Sequence, residues 1–203
     1  MGRTSDARER ILTAAETLML SRGYAALGVA EICAAAGVPK GSFYYFFASK
    51  EELALAVVDE HWTARRAEWD RALAPDVPPL ARLRRLYEST GDGLRADREN
   101  CGVVTGCLLG NLALEMSTRT ESVRARLREV FDEQVALVEG TVAEARDRGE
   151  VTVADPGAAA RALVAQLEGR VLFAKLYDDP GRLDVLWADS LALLGAGAAA
   201  AAG

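Results

Sequence analysis

The sequence predicts an all-α protein of about nine helices, and three observations carry that prediction. Apolar residues recur three and four positions apart in nearly every segment. No segment sustains period-two alternation. Capping residues, prolines and glycines cut the chain into helix-length pieces.

The first helix follows Ser5-Asp6, carries Ile11, Leu12, Ala15, Leu18 and Met19 on one face, and stops at Gly23. A short second helix, about Val29 to Ala36, buries Ile32 and Cys33 and ends at Gly37. A third covers Lys40 to Phe46. Ser49 opens a fourth with a capping box, Ser49 bonding the N3 amide while Glu52 reaches back. That helix runs to about Leu73, where Pro75, Pro78 and Pro79 close it.

A fifth helix passes through Leu83, Leu86 and Tyr87. Gly102, Gly106 and Gly110 then punctuate a short or broken helix around "CLLGNLALEM". Val123, Leu127, Val130, Phe131, Gln134 and Val138 mark a long amphipathic helix ending at Gly149. Asp155-Pro156 and Asp179-Pro180 each read as a cap followed by proline at the first helical position. The last two helices carry Leu163, Leu167, Val171 and Ala174, then Leu183, Leu186, Trp187, Leu191 and Leu194. These stripes suit either a four-helix dimer interface or an internal core, and the pattern does not separate the two. The Ala/Gly tail from Gly195 onward is expected to fray.

Composition excludes several function classes. No run of about eighteen apolar residues exists, so no membrane span is expected. The N-terminal "MGRTSDARER" has no apolar h-region, so no secretory signal is expected either. Three cysteines without paired spacing fit a reducing cytoplasm better than a disulfide framework. With one histidine, His61, and no ligand cluster, neither a metal site, a cofactor nor a catalytic set is expected. The net charge of −6 is unevenly spread. Residues 1–50 hold six Lys/Arg against four Asp/Glu, whereas the remainder holds eighteen against twenty-six. A mildly basic front end on an acidic body permits a local footprint for nucleic acid.

That front end also holds "GSFYYFFASKEEL", 41–53, with five consecutive aromatics out of thirteen in the chain. On a helix, Phe43, Phe46 and Phe47 share one face while Tyr44 and Tyr45 point away. Three rings anchor a helix too short to be stable alone, and two phenols are left outside. Upstream, "ICAAAGV" ends one helix in small residues and glycine immediately before the next begins, the pattern of a helix-turn-helix. Lys40, Gly41 and Ser42 at the second helix's start suit close approach to phosphates and base edges. Lys50, in the first turn of the fourth helix, opposes the macrodipole, and an anionic partner would explain it.

Residues 8 to 60 resemble the DNA-binding region of the TetR family of bacterial transcriptional regulators. The resemblance rests on "RILTAAETLMLSRGY", "VAEICAAAGVPKGSFYYFFASKEEL" and their spacing. It implies a three-helix reading head over residues 1–48, a linking helix over 49–73, an effector-binding and dimerisation domain over 74–196, and a flexible tail over 197–203. It also implies a homodimer on a palindromic double-stranded operator, and with the need to bind two half-sites it favours the dimer-interface reading of the last two helices. Ser42, Tyr44 and Tyr45 would face DNA, with Gly41 at their base, and Lys40 and Lys50 would meet phosphates. Gly28 stands where the family commonly has Thr or Ser, leaving only backbone N–H groups for a phosphate there.

"GCLLGNLALEMS" (106–117) and "EGRVLFAKLYDD" (168–179) are similar to a subgroup that includes NemR- and AcuR-like regulators, associated with reactive electrophiles and acrylate-type compounds. The resemblance makes Cys107 the candidate sensing thiol, with Asn111, Phe131, Phe173 and Lys175 as further effector contacts. A cation and a helix start would favour its thiolate. Packing as a small hydrophobe remains the alternative for Cys107, and is the reading for Cys33. Cys101 reads as a bystander in a polar loop. The implied activity is a ligand-responsive repressor, hinged in the fourth helix around His61 to Trp69. The rivals are a small all-α thiol-dependent enzyme acting on electrophiles and an interaction module that does not bind DNA.

Overall fold

The computed structural model describes residues 2–196 and is all-α. Among the described residues there are nine α-helices and one 3₁₀ turn, and no helix is long and apolar enough to cross a membrane. The chain divides into two compact bodies, Met1–Arg65 with Cys107–Glu129, and Arg66–Gly106 with Val130–Gly203. The division falls inside the fourth helix at Arg65 and Arg66, within the stretch expected to act as a hinge.

The first body contains α1 (Gly2–Arg22), α2 (Val29–Ala35), α3 (Lys40–Phe46), the start of α4 (Lys50–Ala72), α6 (Leu108–Met116) and the start of α7 (Glu121–Asp147). α1 begins at Gly2, so Ser5 and Asp6 lie within it instead of capping it. Asp6 pairs with Arg10 one turn on, which favours helix at that position. The expected capping box of α4 is present. Ser49 Oγ accepts the Glu52 N–H at 3.0 Å, and the Glu52 carboxylate reaches back to the Ala48 N–H at 2.8 Å. The core joins Ile11, Ala15 and Met19 of α1 to Ile32, Cys33, Phe43 and Phe47, and to Leu53, Ala54, Val57 and Val58 of α4. His61 is half-buried, its Nδ1 2.7 Å from Glu16 Oε1, and so links α4 to α1. Ser122 and Arg126 at the start of α7 bond to Glu51 and Asp59 of α4.

The second body contains the rest of α4 and α7, together with α5 (Pro79–Cys101), α8 (Pro156–Tyr177) and α9 (Leu186–Leu194). Cys101 is the exposed last residue of α5, not a loop residue; Gly102 behind it takes φ +78° and closes the helix. Asp155 caps α8 as expected. Asp179-Pro180, however, opens only the 3₁₀ turn Pro180–Leu183, and α9 starts afresh at Leu186. Gly181, directly behind the proline, is a poor residue from which to propagate a helix.

Two expectations about the C-terminal helices need correction. Leu163, Leu167, Val171 and Ala174 of α8, and Leu183, Leu186, Leu191 and Leu194, are buried within the chain. They are internal core, which leaves Leu172, Phe173, Leu176 and Tyr177 as the exposed apolar side of α8. Gly195 and Ala196 also do not fray. Gly195 takes φ +59° and donates to Ala192 O, and the Ala196 N–H bonds Leu191 O. The tail at 197–203 lies outside the described residues.

Two polar clusters inside this body are paired. Arg82, 5 % exposed, donates to Val77 O and to Glu144, holding the Glu144 carboxyl below its usual range. Burial pushes the Tyr87 phenol up to about 12, so it stays protonated. Ser190 Oγ lies 3.4 Å from it and donates to Gln166.

Candidate functional site

The helix-turn-helix is built as the sequence reads. α2 ends at Ala35, Gly37 takes φ +63°, and the Val38 N–H returns to Cys33 O, so α3 starts within four residues. Cys33 is 2 % exposed and its thiol is pushed up by burial, against a smaller opposing pull from Lys40. It is a packing residue.

The aromatic run divides into two faces. Phe43 and Phe47 are buried at 0 % and 2 %, whereas Tyr44 and Tyr45 are 57 % and 74 % exposed. Phe46 falls between the two. It is only half-buried, and its ring stands edge-on to Tyr45 with centroids 4.9 Å apart. α3 therefore offers a rigid apolar base with two phenols on its outer side. Lys40, Gly41 and Ser42 form its first turn, with Lys40 and Gly41 exposed. A Cβ at Gly41 would meet no atom of the chain within 4 Å, so a partner can approach its bare backbone. Gly28 is the N-cap of α2 with no side-chain cap bond, and it too has open space around it.

Lys50 is placed differently from a free phosphate contact. Its Nζ donates to Tyr24 O and Leu27 O, both at 2.8 Å, and lies 3.9 Å from the centre of the Tyr24 ring. Burial pulls its pKa down, and the nearby Glu115 pushes it back up. Two of its three donors therefore hold the α1–α2 loop. Glu115 holds the same loop from α6, accepting the N–H groups of Tyr24, at 2.7 Å, and Ala25. The sequence reading did not single Glu115 out. The available signal was one carboxylate in the otherwise apolar run "LLGNLALEM".

Of the expected effector residues, Cys107 and Asn111 belong to the first body. Cys107 is half-buried and is the N-cap of α6, its Sγ accepting the Gly110 N–H at 3.4 Å. Asn111 is half-buried four residues on, on the same side of the helix. Phe131, Phe173 and Lys175 belong to the second body. Phe131 is half-buried on α7. Phe173 is exposed and stacks on Tyr177 at 6.3 Å, so it lies on the surface of this chain. The stem of Lys175 runs along Gly106, which takes φ +80°. A Cβ at Gly106 would come within 2.9 Å of Lys175 Cδ, so the turn favours glycine and any side chain there would have to displace the Lys175 stem. Gln134, 4 % exposed, has a buried carbonyl oxygen with no hydrogen-bond partner, an acceptor suited to a donor on a bound molecule. Among the described residues no group of His, Cys, Asp and Glu is arranged to hold a metal ion.

Comparison with known proteins agrees with this geometry. Residues 11–57 match the family described as bacterial regulatory proteins, tetR family, and residues 79–189 match the tetracyclin repressor-like C-terminal domain. The transcriptional regulator AcuR of Cereibacter sphaeroides is 35 % identical over 179 residues, covering 87 % of this chain and 80 % of that protein. The transcriptional repressor NemR of Escherichia coli K12 is 30 % identical over 184 residues, covering 84 % and 85 %. Among solved structures, the regulatory protein TetR from Rhodobacter sphaeroides superposes with a TM-score of 0.83 at 33 % identity, covering 91 % of this chain and 96 % of that one. The reduced form of E. coli NemR gives 0.84 at 28 %, covering 95 % and 99 %.

Proposed function

Because the chain belongs to the TetR family, and so is a DNA-binding transcription repressor with a ligand-binding C-terminal domain, we propose that a thiol-reactive electrophile releases it from a palindromic operator. The observation that carries the effector class is Cys107 at the N-cap of α6. Its sulfur accepts a backbone N–H at a helix N-terminus and is half-buried, a setting in which reactive cysteines recur. An activated alkene adds there without further reagents. The sulfur bonds the β-carbon, the C=C is consumed, and the thiol proton ends on the α-carbon. The new substituent leaves the sulfur only a weak thioether acceptor for the Gly110 N–H and crowds the start of α6. The similarity to the repressor NemR supports the repressor part of this reading.

The DNA face in this reading is α3 and its approaches. Tyr44, Tyr45 and Ser42 meet the major groove, Lys40 meets phosphate, and the backbone N–H groups behind Gly28 and Gly41 meet the sugar-phosphate edge. TetR-family regulators dimerise, and the exposed Leu172, Phe173, Leu176 and Tyr177 side of α8 is an apolar surface suited to sealing a homodimer; a palindromic operator offers such a dimer two half-sites one DNA turn apart. The chain works in the bacterial cytoplasm. The relatives are transcriptional regulators and not enzymes, which leaves the thiol-dependent enzyme without support.

The test replaces Cys107 by serine, itself a strong N-cap, so that α6 keeps its start. Operator binding should persist and release by N-ethylmaleimide should vanish. Release that continues unchanged in the serine variant would remove Cys107 as the sensor and leave a reversible ligand in its place.

A further inference from the structure

We propose that Glu115 is the positioning residue that couples α6 to the DNA-reading head, by gripping the backbone of the α1–α2 loop. The coupling rests on the preceding reading only in taking Cys107 as the point where an effector acts.

The grip follows from the local chain. α1 ends at Gly23 in the left-handed region, and the turn presents the next two N–H groups to one point. Glu115 takes both, Oε2 from Tyr24 and Oε1 from Ala25. A Cβ on residue 23 would sit 3.2 Å from Oε2, so glycine also lets the carboxylate close in. Bonds from a charged acceptor are about twice as strong as neutral ones, and two of them fix orientation as well as distance.

Lys50 holds the same loop by its carbonyls, at Tyr24 O and Leu27 O. The loop thus has its donors tied to α6 and its acceptors tied to α4. Its last residue, Gly28, is the N-cap of α2, so the loop's position sets α2 and, through the Gly37 turn, α3. Cys107 caps one end of α6 and Glu115 lies in its last turn, about 12 Å away at helical rise. Leu108, Leu109, Leu112 and Met116 are all buried at 1 %, so α6 is close-packed along its length between the two residues, a continuous path by which a disturbance at one end can reach the other.

The test compares full-length protein with Glu115→Gln and Glu115→Asp variants, all in a Cys101→Ser background so that alkylation reports on Cys107. Operator affinity is measured before and after N-ethylmaleimide, and amide hydrogen exchange is followed at Tyr24 and Ala25. In Glu115→Gln the ratio of unmodified to alkylated affinity should fall toward one from a starting value of about tenfold or more. The two amides should exchange faster, while the alkylation rate of Cys107 stays put. Glu115→Asp, which keeps the charge, should restore part of the ratio. A merely structural residue would lower both affinities together and leave the ratio at its parental value, and that result overturns the proposal. If alkylation leaves the parental protein's operator affinity unchanged, the electrophile reading fails, and Glu115 is judged on its own. Lower operator affinity in a variant that remains folded, with faster exchange at both amides, supports the grip. Unchanged affinity overturns it.

Discussion

The rings of Phe43 and Tyr44 meet edge to face with centroids 5.2 Å apart, the first fully buried and the second 57 % exposed. Adjacent residues on one short helix thus divide anchoring from contact. The anchor fixes the phenol's direction before DNA arrives, which lowers the ordering cost of binding.

Tyr44→Phe keeps that ring contact and removes one hydroxyl. Operator affinity should fall about two- to tenfold, the range of one hydrogen bond, with no change in melting temperature. Lys40→Ala should weaken binding evenly across sequences and reduce the salt slope by about one. Fluorescence anisotropy at several salt concentrations reads both, and an unchanged slope in Lys40→Ala would remove that residue from the phosphate contacts.

Lys50→Ala should behave otherwise. Its ammonium secures Tyr24 O and Leu27 O, so its loss should cost stability on the order of 1 kcal/mol, discounted for partial exposure, besides weakening DNA binding. Thermal unfolding of the two lysine variants side by side separates the roles. Equal melting temperatures would mean that the Lys50 bonds contribute nothing to the head.

Gly28→Thr tests the opposite direction. The N-cap of α2 has no side-chain cap bond, and a Cβ there meets nothing within 4 Å. A hydroxyl at that position should stabilise α2 by a few tenths of a kcal/mol and add a phosphate contact. Tighter operator binding is expected, and weaker binding would show that DNA approaches too closely for a side chain.

Asp178 gives a pH dependence. It ends α8 at φ +50°, accepts the Val104 N–H at 2.8 Å and pairs with Arg98. The Val104 bond first, and Arg98 second, hold its carboxyl below the usual range. A depressed carboxylate stabilises the fold above its unfolded value of about 3.9, and loses that contribution as pH falls through the folded value. Asp178→Asn, which tolerates the left-handed backbone, should be less stable than the parent at neutral pH. The gap should close below about pH 4. A gap of constant size across that range would point to packing instead of ionisation.

The elements written in local chemistry were the legible ones. Asp155-Pro156, the Ser49–Glu52 box and the Gly37 turn each act through bonds to near neighbours, so sequence spacing alone locates them. The side of the Phe and Tyr residues on α3 followed from helical periodicity in the same way. Phe46 escaped because periodicity gives a direction and not the depth of the surface beneath it. The apolar stripes of α8 and α9 escaped because an internal core and a dimer face have the same pattern until the neighbouring helices are known. The sequence reading does not single out Glu115, and it makes Lys50 a phosphate contact and not a holder of the α1–α2 loop. Their partners are backbone atoms 90 and 26 residues away, and backbone groups leave no mark in a sequence.

The central claim is that α3 reads DNA in a dimer of this chain. Its most direct test is selection of bound duplexes from a random-sequence pool by the purified full-length protein, followed by salt titration on the winning sequence. The account predicts an inverted repeat with half-sites one helical turn apart and affinity that falls steeply with salt. A pool that yields no enriched sequence, with binding indifferent to salt, would contradict it.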